Sequence, residues 1–422
     1  MQGQALPGFR DSYPEETALR NDIFATWRDV ARRYGFQEYD GPPLEPLELY
    51  TQKSGDEIVQ QLYAFRDKGD REVALRPEMT PTLARMVGAR AQALKKPIRW
   101  FSIPQLFRYE RQQRGRLREH FQLNLDIIGE LGPAADAEIM AAALDIMREF
   151  DLGPKAVRLR ISDRRVVVAE LTGRLHVQNQ ELPRVLSILD KAEREDAFWG
   201  QELGTLLGDR AQALIEFFRS LHFPQAREAL RKSAAAESLN ECVERLDAMG
   251  LGDFVEVDFR IVRGLAYYTG IVFELFATAG ISRAICGGGR YDDLIKEIAG
   301  VDLPCVGFGM GDVVLGDLLR EHGIHPEASG RLDAFLVAVS SEDVAPVLKL
   351  AHELRDRGVG VEYALRHQSI RKQLELAAAR GAPRAVIIGP DERKAKLAVV
   401  RDLKTGRQRK VSLTKVRKGI FK

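Results

Sequence analysis

Along Phe121–Ile128 apolar and polar residues alternate. Phe121, Leu123, Leu125 and Ile127 therefore fall on one face of a strand, with Gln122, Asn124 and Asp126 on the other. Gln122 and Asp126 share that face, so their side chains project into the same space. An amide and a carboxylate so placed can hydrogen-bond a small polar ligand. An ordinary solvated strand face has the same pattern, and alternation alone favours it. The run just before, ERQQRGRLREH, carries Arg111, Arg114, Arg116 and Arg118 around Gly115 and reads as a long basic hairpin loop. Guanidinium groups suit oxyanions because their planar fork donates two parallel hydrogen bonds. The glycine run Gly287–Gly288–Gly289 is followed by no Gly-Lys-Ser/Thr, so it is not a Walker loop; it suits a place where backbone must come close to another group. His322 and His325 have no third ligand nearby in the sequence. They read as a surface pair, and no protein-held metal is expected.

These residues need a scaffold. From Thr17 to Tyr34 the positions Leu19, Ile23, Trp27, Val30 and Tyr34 recur at helical spacing, and Gly35 stops the run. Gly41–Leu47, with its prolines, is an irregular or edge-strand connection. Ile98–Tyr109 is rich in aromatic and β-branched residues and pairs with Phe121–Ile128 across the basic loop. A helix follows over Asp136–Phe150 and a short strand over Val157–Ile161. From about residue 174 to 249 the pattern is helical and charged, a helical insertion. Strands return at Phe254–Val262 and Ile271–Phe276, and the glycine run then leads into a helix over Tyr291–Ala299. HGIHPEASGR (322–331) has loop composition and marks a domain boundary. Beyond it, strands at Ala334–Val339, Val359–Tyr363 and Ala385–Ile388 alternate with helices, which predicts a small α/β domain with a mostly parallel sheet.

The chain is long enough for two or three domains. It is 45% apolar and 29% charged, as in a globular protein. No apolar run approaches the roughly 20 residues that cross a bilayer, and the N-terminus lacks a basic stretch followed by an apolar one. Three cysteines, Cys242, Cys286 and Cys305, have no CxxC spacing. They fit small core positions in a reducing cytosol. Charge is unevenly spread. Residues 331–422 hold 21 Lys+Arg against 10 Asp+Glu, and the rest of the chain holds 42 against 51. A basic end on an acidic body suits a polyanion such as tRNA, or serves as a solvated tail.

Four stretches carry a family resemblance. They are ALRPEMTPTLAR (Ala74–Arg85), LFRYERQQRGRLREHFQLNLDIIG (Leu106–Gly129), VRGLAYYTGIVFE (Val262–Glu274) and GGGRYDDL (Gly287–Leu294). The body resembles the α/β (α+β) catalytic core of class II aminoacyl-tRNA synthetases, and within them the histidyl enzymes, whose histidine-binding signature the third stretch matches. KQLELAAARGAPRAVIIG (Lys372–Gly389) and VRDLKTGRQ (Val400–Gln408) look like the family's α/β anticodon-binding domain. The resemblance implies an antiparallel sheet flanked by helices over residues 1–325, with the helical insertion, and an anticodon-binding domain over 331–422. It implies a histidine–tRNA ligase that uses ATP and Mg2+, acts on L-histidine and tRNA(His), and dimerises through the motif 1 region around Pro43.

Residue by residue, Arg108 matches the motif 2 arginine that binds the α-phosphate and the amino-acid carboxylate, and Arg263 the signature arginine that reaches the same centre. Both are implied to be catalytic. Glu78, Thr80 and Gln122 would hold the α-ammonium, Asp126 and Tyr267 the imidazole, and Tyr268 would line the pocket. ATP would meet Arg108, Glu110, Arg116, His120 and Phe121, with magnesium on the phosphates and Glu110. Arg111 and Gln113 would touch the tRNA acceptor end, and the glycine run would pass over the aminoacyl group. Three positions depart from the pattern. Val314 stands where motif 3 has an arginine against adenine and the γ-phosphate, His120 where an aromatic residue stacks on adenine, and Ala266 where the signature has an aspartate. Arg290 and Arg116 are candidates to replace the missing guanidinium. A rival reading is a non-catalytic paralogue such as the regulatory subunit of ATP phosphoribosyltransferase. Such subunits lack the anticodon-binding domain and carry an eroded motif 2, whereas FRYERQQRGRLREHFQ is full.

Overall fold

The computed structural model describes residues 3, 5–51, 60–109, 117–192, 199–263, 267–281, 283–324, 332–366 and 368–421. Contacts divide the chain into two compact units, Met1–His325 and Pro326–Lys422.

Among the described residues the first unit has twelve strands: β1 (Gln37–Glu38), β2 (Leu44–Pro46), β3 (Tyr63–Arg66), β4 (Glu72–Leu75), β5 (Ile98–Ser102), β6 (Gln105–Phe107), β7 (Glu119–Ile128), β8 (Val157–Asp163), β9 (Val255–Val257), β10 (Ile271–Ala277), β11 (Ala284–Arg290) and β12 (Cys305–Gly311). Nine of them form one sheet in the order β1-β5-β7-β12-β11-β10-β8-β9, with β6 paired to the start of β7. The pairing is antiparallel except at its two ends, β1 with β5 and β8 with β9. β2, β4 and β3 make a separate antiparallel sheet.

One face of the large sheet is sealed by three helices, Pro14–Arg33, Pro133–Glu149 and Asp312–Glu321. Leu19, Ile23, Trp27 and Val30 are buried there with Leu123, Leu125 and Ile127 of β7, as the spacing predicts. The first helix begins at Pro14, earlier than the apolar pattern indicates, because proline suits a first helical turn and Glu15 and Glu16 favour its positive end. The 174–249 region carries five α-helices among its described residues, from Leu182–Ala192 to Glu237–Ala248, after an irregular stretch over 174–181.

Several expected elements come out differently. Ile98–Tyr109 is two strands, because Pro104 has no N–H to continue the ladder; its carbonyl accepts from the Gln122 N–H at 3.1 Å instead. The Phe254–Val262 strand shrinks to Val255–Val257. Asp258 turns the chain away by accepting from Arg160 (2.8 Å) and Arg260 (2.8 Å). The glycine run lies inside β11, paired on both sides, and the helix after it begins only at Leu294. Arg290, a candidate nucleotide contact, is 3% exposed and donates to Asp136 (3.2 Å) and to the Glu130 carbonyl (2.9 Å). It ties the sheet to helix Pro133–Glu149.

The second unit has strands β13 (Ala334–Ala338), β14 (Val361–Tyr363), β15 (Arg384–Ile388), β16 (Leu397–Asp402) and β17 (Gln408–Ser412), in the order β14-β13-β15-β16-β17. The first three are parallel, with helices Val344–Arg355 and Ile370–Ala379 between them. The antiparallel hairpin β16–β17 lies beyond the strands the sequence pattern indicates; Gln408–Lys410 is a polar, exposed run that masks the alternation of β17.

The Arg290–Asp136 pair is nearly inaccessible, at 4% and 1% of side-chain area. Asp136→Ala removes the guanidinium's most buried partner, leaving it Asp292 and the Glu130 and Gly132 carbonyls, and is expected to destabilise the first unit by about 3 kcal/mol. Urea unfolding of the variant checks this; a loss below about 1 kcal/mol contradicts it.

Candidate active site

The site is assembled on the sheet face opposite the three sealing helices. On β7 the residues Gln122, Asn124 and Asp126 face β12 at Gly311, Gly309 and Gly307. Those glycines clear the space. A Cβ on Gly307 would stand 2.0 Å from Asp126 Oδ1, one on Gly309 2.7 Å from Gln122 Cδ, and one on Gly287 of β11 1.5 Å from Arg263 Nη1. The close approach expected of the glycine run is thus to the protein's own site side chains.

Asp126 is 4% exposed and accepts a short hydrogen bond from the Tyr291 hydroxyl. Burial pushes its carboxyl up to about 7, against the lowering effect of Tyr291. The Tyr291 ring lies 5.9 Å from that of Tyr267, which is 5.2 Å from Tyr268. The Tyr267 hydroxyl donates to Glu78 Oε2 at 3.1 Å, and Thr80, which opens helix Thr80–Arg90, also acts on that hydroxyl. Glu78 itself is 4% exposed.

Arg108 sits beside this group. Its N–H donates to the Arg118 carbonyl, extending the β6–β7 ladder, and its Nε donates to the Pro77 carbonyl at 2.8 Å. Leu106 is the register partner of His120, so Arg108, two residues on, shares the face of His120, Gln122 and Asp126. The His120 imidazole is held neutral, its pKa lowered to about 3 by burial and then by the charges of Arg108, Arg10 and Arg283. Arg263 enters from the other side. Its backbone is left-handed (φ 49°), an uncommon conformation for a side chain of this size. Its Nη1 donates to Glu274 Oε1 at 2.9 Å, and its guanidinium lies 5.6 Å from the centre of the Tyr268 ring.

Glu78, Thr80, Arg108, His120, Gln122, Asp126, Arg263, Tyr267 and Tyr268 are therefore brought to one side of one sheet. Phe121 is not. It points through the sheet to the helical side, 5.2 Å from Phe24 with the Arg20 guanidinium 5.1 Å from its ring centre. Strand alternation requires this once His120 faces the site. Glu110, Arg111, Gln113, Arg116 and Ala266 lie outside the described residues. Val314, in helix Asp312–Glu321, packs against the helical core. Near it Arg10 donates to Glu119 (2.7 Å) and Asp312 (3.1 Å).

Two site residues escaped the sequence reading, Tyr291 and Glu274. Glu274 had a usable signal: a carboxylate within the otherwise apolar strand Ile271–Ala277 requires a partner when buried. Tyr291 had none beyond its place after the glycine run, since its contact with Asp126 spans 165 residues.

Residues 8–311 match the family model for histidyl-tRNA synthetase, and residues 333–422 that for the anticodon binding domain. The chain belongs to the histidyl-tRNA synthetase family. It is 45% identical, over 95% of its length and 94% of the relative's, to a protein of Opitutus terrae named histidine–tRNA ligase. It is 38% identical, over 95% and 93%, to one of Leptospira biflexa with the same name. Among solved structures, a histidyl-tRNA synthetase from Nostoc sp. superposes with a TM-score of 0.81 at 24% identity, covering 100% of this chain and 99% of that one. An ATP phosphoribosyltransferase regulatory subunit/histidyl-tRNA synthetase from Bacillus halodurans superposes at 0.75 and 21%, covering 92% and 99%. These two likenesses establish the fold.

The raised carboxyl of Asp126 generates a prediction. Because its folded pKa lies above the ordinary carboxylate value near 4, the folded state holds a proton between about pH 4 and 7 that the unfolded chain has lost. The stability associated with this proton is full below about pH 4 and is lost as pH rises through about 7. Asp126→Asn should therefore be more resistant to urea than the wild type at pH 8, with the difference closing toward pH 4. A pH-independent difference contradicts the assignment.

Proposed function

We propose that the chain is a histidine–tRNA ligase, which activates L-histidine with ATP to histidyl-adenylate and transfers the histidyl group to tRNA(His). The observation that carries this reading is the polar recess bounded by Asp126, Tyr291 and Tyr267, flanked by Arg108 and Arg263. An imidazole needs an acceptor for its N–H and a donor for its bare nitrogen, and Asp126 is the acceptor. A buried, hydrogen-bonding slot rejects amino acids that leave its groups unpaired, by factors up to about 10⁴.

Activation joins two anions, the histidine carboxylate and the α-phosphate of ATP. In our reading Arg108 and Arg263 stand on either side of the reacting centre, offset the developing negative charge and align the carboxylate for attack. Glu78, Thr80 and Gln122 take the α-ammonium group, which leaves the carboxylate turned toward Arg108. His120, uncharged at pH 7, offers a flat ring to adenine without adding charge, in the place we assign to the nucleotide with Glu110 and Arg116. Mg2+ would be held by the phosphate oxygens of ATP and by Glu110. After activation the terminal ribose hydroxyl of tRNA attacks the adenylate carbonyl. Arg111 and Gln113 guide the acceptor end, and the basic 331–422 region takes the anticodon.

A homodimer follows in the same reading. The β2-β4-β3 sheet carries exposed Leu44 and Phe65 beside Pro43, apolar surface that a second copy would cover. Three buried free cysteines fit a cytoplasmic setting, and no described helix is long and apolar enough to cross a membrane.

Histidine-dependent pyrophosphate–ATP exchange by the purified protein tests the proposal; a folded preparation with magnesium that shows none above background refutes it. Arg263→Ala should lower the exchange turnover about 10²–10³-fold and change histidine affinity far less, and a loss confined to affinity would contradict its role. Removing residues 331–422 should spare exchange while impairing tRNA charging, and equal loss of both would contradict the division of labour.

A further inference from the structure

Tyr39 follows β1, and its N–H donates to the Phe101 carbonyl at 2.9 Å, continuing the pairing with β5. Its ring lies 5.4 Å from that of Trp100, and Trp100 is the register partner of Asp126 on β7. Directly paired residues of adjacent strands share a face, so Tyr39 and Trp100 line up toward Asp126 on the site face. Tyr39 packs in the same cluster as Tyr267, Tyr268 and Tyr291. Its hydroxyl oxygen is buried and has no hydrogen-bond partner among the described residues.

That combination is unusual for a buried hydroxyl, because leaving one unpaired away from water is costly. Of the three neighbouring tyrosine hydroxyls, that of Tyr267 is committed to Glu78 and that of Tyr291 to Asp126. Burial raises the Tyr39 pKa well above 10, with the Asp126 carboxylate the leading charge upon it. It therefore remains an O–H donor at neutral pH, beside the group that accepts from the imidazole N–H. The other ring nitrogen of a neutral imidazole is an acceptor in need of a donor.

We propose that Tyr39 is a specificity contact for histidine, its hydroxyl donating to the ring nitrogen that Asp126 does not engage. The inference rests on the histidine reading of the site. The substrate completes a hydrogen bond that the free protein lacks, so the hydroxyl is retained for binding and not for folding.

The test is Tyr39→Phe, which removes one oxygen and keeps the ring. Steady-state exchange should show the KM for histidine raised about tenfold, with kcat within about twofold and a melting temperature equal to or above that of the wild type. The β-pyrrolylalanines, each with one ring nitrogen replaced by C–H, serve as competitive inhibitors. The isomer that binds the wild type best should bind the variant equally well, so histidine's advantage over it shrinks by the factor lost in KM. An unchanged KM overturns the proposal, as does an equal weakening of histidine and analogue, which marks a merely structural hydroxyl. If the wild type itself shows no histidine-dependent exchange, the histidine reading falls and takes this assignment with it. Exchange in the wild type with an unaltered KM in the variant removes the Tyr39 assignment alone.

Discussion

The site depends on a stretch of sheet with no side chains of its own. Opposite Asp126, Gln122 and the Arg263 guanidinium, β12 and β11 present Gly307, Gly309 and Gly287, and a single methyl on any of them would occupy space a polar group now fills. A β-sheet normally buries its face under apolar side chains. Here two adjacent strands forgo them, and the volume goes to a carboxylate, an amide and a guanidinium instead. Buried polar groups tolerate such a position only when paired. Tyr291 answers Asp126, Tyr267 answers Glu78, and Glu274 answers Arg263.

Those pairings set the electrostatics. The same low-polarity surroundings push Asp126 up and His120 down, so one carboxyl and one imidazole sit far from their ordinary titration ranges for a common reason. Charges held in such a place act strongly on one another and need little rearrangement when a ligand arrives. Rigidity comes from the other face, where alanine-rich helix Pro133–Glu149 and helices Pro14–Arg33 and Asp312–Glu321 pack against β7 and its neighbours. Arg290, buried on Asp136, fixes the glycine-bearing strand to that layer. The left-handed backbone at Arg263 is a local cost borne where the side chain must reach across the floor.

The residues expected to meet the nucleotide are divided between the two faces of the sheet. His120 replaces the expected aromatic, Val314 turns into the core, and Phe121 faces the helices. The Arg10–Glu119–Asp312 cluster joins the N-terminal segment to β7 and to the helix that follows β12. Glu78, Gln122, Asp126, Tyr267 and Tyr268, the positions the resemblance assigns to histidine, lie on the site face.

Spacing along the chain determined the first helix, the alternation of β7, the helical region after residue 174 and the parallel start of the second unit, because each is written in neighbours a few residues apart. The four quoted stretches determined the family, because their residues are contiguous. Three matters were decided only by the tertiary structure. β7 buries its polar face as well as its apolar one, which alternation cannot distinguish from solvation. Arg290 is a structural anchor and not a nucleotide contact, because its partner Asp136 lies 154 residues away. Tyr291 joins the site through a pairing with Asp126 of β7, 165 residues away, that exists only once β11, β12 and β7 lie side by side. A local pattern states which way a side chain points; what it meets there depends on strands distant in the chain, and in this protein what several of them meet is a glycine.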